Sequence, residues 1–85
     1  IWVVGHTSDK PLTSSQRRRY GSHWVFSTRQ AMAFMVALNE QFGVELDQFT
    51  VAGRGASDPI ADNSTPEGQA ANARISLLLA PPEER

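Results

Sequence analysis

Ile1-Trp2-Val3-Val4-Gly5-His6-Thr7-Ser8-Asp9 is the stretch whose reading decides the fold. Four consecutive apolar residues, rich in β-branched side chains, read as a strand buried on both faces. Gly5 lets the backbone leave the sheet, and four polar side chains follow at the strand's carboxyl end. In sheets covered by helices, that edge is where ligands sit.

The elements downstream fit a strand that begins a crossover. Lys10 to Gly21 is polar, with Pro11, two adjacent serines and Arg17-Arg18-Arg19, and reads as a surface loop. Ser22 caps a helix expected to reach about Phe42, with Trp24, Ala31, Phe34, Met35, Leu38 and Phe42 at helical spacing and Gly43 as the stop. Ser27 with Gln30 three residues on is a second start signal inside that span, implying a later start or a kink. Gly43 to Gln48 is a short connection. Phe49-Thr50-Val51-Ala52 reads as a second strand ending in the turn Gly53-Arg54-Gly55. Ser64 or Thr65 caps a short helix with Pro66 at its first position, reaching about Ala73. Arg74 to Ala80 reads as the third strand, and residues 81–85 as a tail. The expected class is therefore α/β, a small mixed sheet with one long crossover helix and a short second helix, in one domain spanning 1–80.

Composition bounds the function. Eighty-five residues, 40% hydrophobic and 20% charged, make one small domain with a modest core. A net charge of −1 argues against a dedicated nucleic-acid binder. The absence of cysteine removes disulfides, thiolate chemistry and cysteine zinc sites. No apolar run approaches the roughly 18–20 residues of a membrane-spanning helix, and no signal-peptide pattern is present. The chain opens directly in a strand, so it is expected to be an excised piece of a larger protein.

Other chemistries fare worse. His6, Ser8 and Asp9 are adjacent in sequence, whereas the members of a catalytic triad converge from separate elements. His6 is instead expected to hydrogen-bond the backbone at the strand end. His6 and His23, without cysteines or a close carboxylate pair, make no metal site. Arg17-Arg18-Arg19 reads as a solvated run, the functional alternative being a contact with phosphate, anionic glycan or an acidic protein. Neither an enzyme activity nor a cofactor is expected.

Taken together, Gly5-His6-Thr7, Pro11, Ser22-x-Trp24, Ser27, Ala31, Gly53-x-Gly55, Pro59-Ile60-Ala61-Asp62-Asn63, Thr65-Pro66-Glu67-Gly68, Asn72 and Arg74-Ile75 resemble the OmpA-like domain family, in its flagellar-stator, MotB-type branch. Their order and spacing across nearly the whole chain carry the resemblance. It implies a βαβαβ core, with the family's first strand and helix lying before Ile1. It also implies a periplasmic domain of a protein anchored in the inner or outer membrane, holding peptidoglycan non-covalently. In the family an aspartate and an arginine grip the ammonium and carboxylate of the stem peptide's diaminopimelate, two charge-assisted contacts.

Here the ungapped match puts Ser8 at the aspartate position and Gln30 at the arginine position. His23 stands for asparagine, Phe26 for leucine and Ala73 for the first arginine of Asn-Arg-Arg. The candidate groove is Thr7, Ser8, Asp9, His23, Phe26, Gln30, Asn72 and Arg74. Losing each charged contact removes roughly 1.5–3 kcal/mol, so the clamp is expected to be weakened or lost. Asp9, one step past the usual position, is the better substitute. Arg29, one residue before its position, is turned by about 100° on a helix. The alternative is a protein-interaction or dimerisation module on the same scaffold, with a second copy or membrane-complex subunits as partners.

Overall fold

The strand Trp2–His6 (β1) is the middle of a three-stranded sheet of order β2-β1-β3. It pairs in parallel with Thr50–Gly53 (β2), Val3 opposite Val51 and Gly5 opposite Gly53. It pairs antiparallel with Arg74–Leu78 (β3), Val3 opposite Leu77 and His6 opposite Arg74. The computed structural model describes residues 1–79, so the end of the expected third strand at Ala80 and the expected tail lie outside the described residues. Between the strands run α1 (Ser14–Tyr20), α2 (His23–Phe42), a 3-10 turn (Leu46–Gln48) and α3 (Pro66–Asn72).

The expected mixed sheet, long helix and short second helix are all present. Val3 and Val4 are the buried heart of β1, at 0% and 2% exposure. Gly5, however, does not take the chain out of the sheet. It is paired on both sides, with Gly53 and with Ile75. Its lack of a side chain serves packing instead: a Cβ there would run into the main-chain oxygen of Ser27, and one on Gly53 would strike the Thr28 hydroxyl. Because residues two apart share a face of a sheet, Val3, Gly5, Val51 and Gly53 form the surface on which α2 lies.

That close approach corrects the expected helix stripe. Small residues occupy the centre of the contact, Ser27 and Ala31 both being fully buried. Met35 and Leu38 are half-buried, while Trp24 and Phe42 are 53% and 72% exposed. A helix of 20 residues is about 30 Å long and five-residue strands about 17 Å, so the Phe42 end overhangs the sheet.

The Lys10–Gly21 segment is corrected as well, since seven of its residues form α1. Thr13 caps it, accepting from Gln16 N–H at 3.1 Å while the Gln16 side chain accepts from Thr13 N–H at 3.0 Å, a closed capping box. Gly21, at φ 82°, ends it with its N–H on Arg17 O. Ser22 then caps α2 through Val25 N–H, and α2 runs unbroken past Ser27 to Gly43 in the left-handed conformation. Phe49 closes the 3-10 turn rather than opening β2. Thr65 caps α3 and Pro66 stands at its first position, as expected.

Candidate functional site

Past its last paired residue, β1 stays fastened to the turn that follows β2. Arg54 N–H donates to Gly5 O and Thr7 N–H donates to Gly55 O, both at 2.9 Å. Gly55 N–H in turn donates to the buried Ser27 hydroxyl at 2.9 Å, and that hydroxyl donates to Trp24 O. Gly55 thus joins the strand tip to the first turns of α2. The sequence marks Ser27 as a second helix start and as part of the family pattern, whereas its hydroxyl is spent on this junction.

Thr7 and His23 meet directly, Thr7 Oγ1 lying 3.0 Å from His23 Nδ1. Ser8 turns back on the loop and accepts from Lys10 N–H at 3.3 Å, leaving Asp9 exposed as the tip's carboxylate. His23, Phe26 and Gln30 recur at helical spacing and share one flank of α2. Phe26 is stacked on Tyr20, with ring centroids 4.9 Å apart and planes 12° from parallel. Tyr20 belongs to the segment read as a loop, so its stacking on Phe26 was not legible. Gln30 and Arg29 are both exposed. Thr7, Ser8, Asp9, His23, Phe26 and Gln30 therefore belong to the tip and the adjoining helix flank.

Asn72 and Arg74 are tied to the segment that precedes α3. Asn72 is fully buried. Its Oδ1 accepts from the N–H groups of Ile60 and Ala61, and its Nδ2 donates to Ala61 O and Asn63 Oδ1. It pins the 60–63 loop. Arg74 donates to Asn72 O at 3.1 Å and to Asp58 O at 3.0 Å. It reaches the tip through its strand partner, His6.

His6 itself is 4% exposed, and its Nδ1 has no hydrogen-bond partner. The expectation that this side chain bonds the backbone through the strand end is not met at that nitrogen. Burial, together with the nearby Arg74 and Arg54 guanidinium groups, holds its pKa below the ordinary histidine value against the opposing pull of Asp58. Among the described residues no three His, Asp or Glu side chains gather as a metal site requires, and no helix is long and apolar enough to cross a membrane. What the tip and flank offer is hydrogen bonding from Thr7, Ser8, His23 and Gln30, the Tyr20–Phe26 ring pair, and the charge of Asp9.

The chain is 33% identical over 81 residues to Motility protein B of Bacillus subtilis, a match covering 95% of this chain and 30% of that protein. The C-terminal domain of Helicobacter pylori MotB superposes with a TM-score of 0.78 at 32% identity, over 88% of this chain and 54% of that one. The cell wall anchor of the T6SS from Pseudomonas aeruginosa does so with a TM-score of 0.75, again at 32% identity, over 87% and 49%. The OmpA family model matches residues 1–73. A strand tip bound to the start of a long helix, on a sheet that these domains share, is thus the setting of the site, and the chain belongs to the OmpA family.

Proposed function

We propose that this is a non-enzymatic, periplasmic domain of a membrane-anchored envelope complex that associates non-covalently with peptidoglycan through the groove between Thr7–Asp9 and the His23–Phe26–Gln30 flank. The observation that carries the reading is the junction of tip and helix through the Thr7–His23 contact and the shared Gly55 backbone. It keeps the groove formed before any ligand arrives. The name of one relative, a cell wall anchor, supports the same direction.

With Ser8 and Gln30 in place of the family's charged pair, the groove takes the stem peptide through neutral hydrogen bonds plus Asp9, and affinity is reduced. Asn72, fully buried with its side-chain amide bonded to the 60–63 loop, serves by holding that loop, while Arg74 keeps N–H donors beyond the two given to Asn72 O and Asp58 O.

Sedimentation with purified peptidoglycan, with and without free diaminopimelate, tests this. Binding that the free amino acid competes away and that Asp9→Ala abolishes is the expected result. Absence of any co-sedimentation defeats the proposal. A second reading, a dimerisation module, is favoured by the exposed apolar side chains Phe42, Ile60 and Leu77. Concentration-dependent dimers in sedimentation velocity, with no peptidoglycan bound, would establish it instead.

A further inference from the structure

A groove of about 470 Å³ opens where the α1–α2 junction meets the loops 10–12 and 56–57. That volume lies within the range of small-ligand sites. Its walls include Leu12, Arg17, Ser22, His23, Trp24 and Ser57. Of these only His23 also belongs to the strand tip and its helix flank, its Nδ1 lying 3.0 Å from Thr7 Oγ1, so the two regions adjoin at that residue.

Three observations indicate what would fill it. Trp24 is half-exposed, and its indole is seated on the Gly55 backbone, where even a Cβ would stand 3.4 Å from the ring. A flat apolar surface is therefore held in place and presented to solvent. Arg17 is exposed on α1 and lines the same wall. Charge is also unevenly distributed along the chain. The first thirty residues carry Lys10, Arg17, Arg18, Arg19 and Arg29 against Asp9 alone, while the net charge of the whole chain is −1. The segment that supplies α1 to the groove wall is thus basic, and a basic surface draws anions.

An indole face packs against the C–H face of a pyranose ring, because each presents a broad apolar surface. A guanidinium beside it pairs with a carboxylate in a bidentate geometry. We propose that this groove is a second subsite for an N-acylated amino sugar and the carboxylate of the peptide attached to it, the sugar ring lying on Trp24 and the carboxylate on Arg17. It deepens the peptidoglycan reading above and rests on it. One polymer would then straddle His23, peptide on one side and sugar on the other.

The whole 85-residue chain, labelled with 15N, is titrated with N-acetylmuramoyl-L-alanyl-D-glutamate. The indole N–H of Trp24 and the amides of Ser22 and His23 should shift saturably. Arg17→Gln should weaken binding about tenfold, the loss of one charge-assisted contact, and Arg18→Gln less than about twofold, the effect of a screened surface charge. Trp24→Leu should abolish the shifts. Should that variant fail to fold, Arg17→Gln still decides, because Arg17 is an exposed residue on a helix with no buried side chain. Equal weakening by Arg17→Gln and Arg18→Gln, or full displacement of the probe by inorganic phosphate at matched ionic strength, would mean diffuse attraction of anions and overturn the subsite. So would shifts confined to Thr7–Asp9. Free diaminopimelate added in a separate titration keeps the two readings apart. If it leaves Thr7–Asp9 unmoved while the sugar–peptide probe titrates Trp24, the stem-peptide groove falls and the subsite stands.

Discussion

Ser27 Oγ accepts the Gly55 N–H at 2.9 Å although 28 residues separate them, and Ser27 has no exposure to solvent. The long helix and the turn after β2 are thereby fixed to each other at one buried atom. Replacing Ser27 by alanine strips a buried donor of its partner and should cost about 1–3 kcal/mol. Urea denaturation measures it. A loss below about 0.5 kcal/mol, the range of ordinary surface substitutions, would mean that the bond contributes nothing to the junction.

Gly5→Ala should be at least as damaging. The obstacle is main-chain oxygen of a packed helix, not the end of a flexible side chain, so α2 must lift from the sheet. Overpacking of this kind costs roughly 1–3 kcal/mol. If the substitution leaves the urea midpoint in place, the Ser27 main chain does not press on β1 at Gly5.

Asn72→Ala removes four hydrogen bonds at once and leaves the amides of Ile60 and Ala61 without their acceptor. A loss of about 2–4 kcal/mol is expected for a buried network of this size. Hydrogen exchange should speed up most at residues 60–63. Uniform acceleration over the whole chain would instead mark Asn72 as a general core residue.

Acid should weaken the fold through His6. Its pKa is lowered in the folded state by burial and by Arg74, from an ordinary value of 6.5. Below about pH 6.5 the unfolded chain takes up a proton that the folded chain refuses, so stability falls as pH drops through that value. It levels off only beneath the lowered folded pKa. Comparing urea midpoints at about pH 7.5 and about pH 5.5, before the carboxylates titrate, the wild type should lose stability and His6→Gln should lose much less. Equal losses would assign the effect to other groups.

Ser8→Asp together with Gln30→Arg should strengthen peptidoglycan binding at least about tenfold, by returning one or two charge-assisted contacts. Co-sedimentation at fixed peptidoglycan measures it. A folded double variant that gains nothing would place the deficit elsewhere in the groove.

Order and type of the main elements were readable because their signals are local: β-branched Val3 and Val4, the Ser22 cap, the Thr65-Pro66 start, the Gly43 stop. Helix α1 carries an equally local signal in Thr13 and Gln16, yet its Arg17-Arg18-Arg19 run has no apolar stripe and none of its residues is buried. A surface helix of this kind looks like a loop. The roles of Gly5 and Ser27 were hidden for a different reason. Each is defined by a partner far along the chain, and no periodicity within one segment reports on an approach between two. The same holds for the site, where Thr7 and His23 were named from separate segments. Asn72 enters the candidate groove by likeness to its family, and its four bonds to the 60–63 loop likewise leave no local signal in the sequence.

The central position of β1 has a mechanical consequence. The strand that carries the tip is flanked on both edges, by four residue pairs with β2 and five with β3. Ladder hydrogen bonds run across the strands. A pull on Thr7–Asp9 along the strand therefore loads both ladders in shear, all bonds sharing the force together. Were the tip carried on an edge strand pulled sideways, the bonds would break singly, in sequence, like a zip. A ligand tugging at this tip would have to tear the middle out of the sheet before the strand came free.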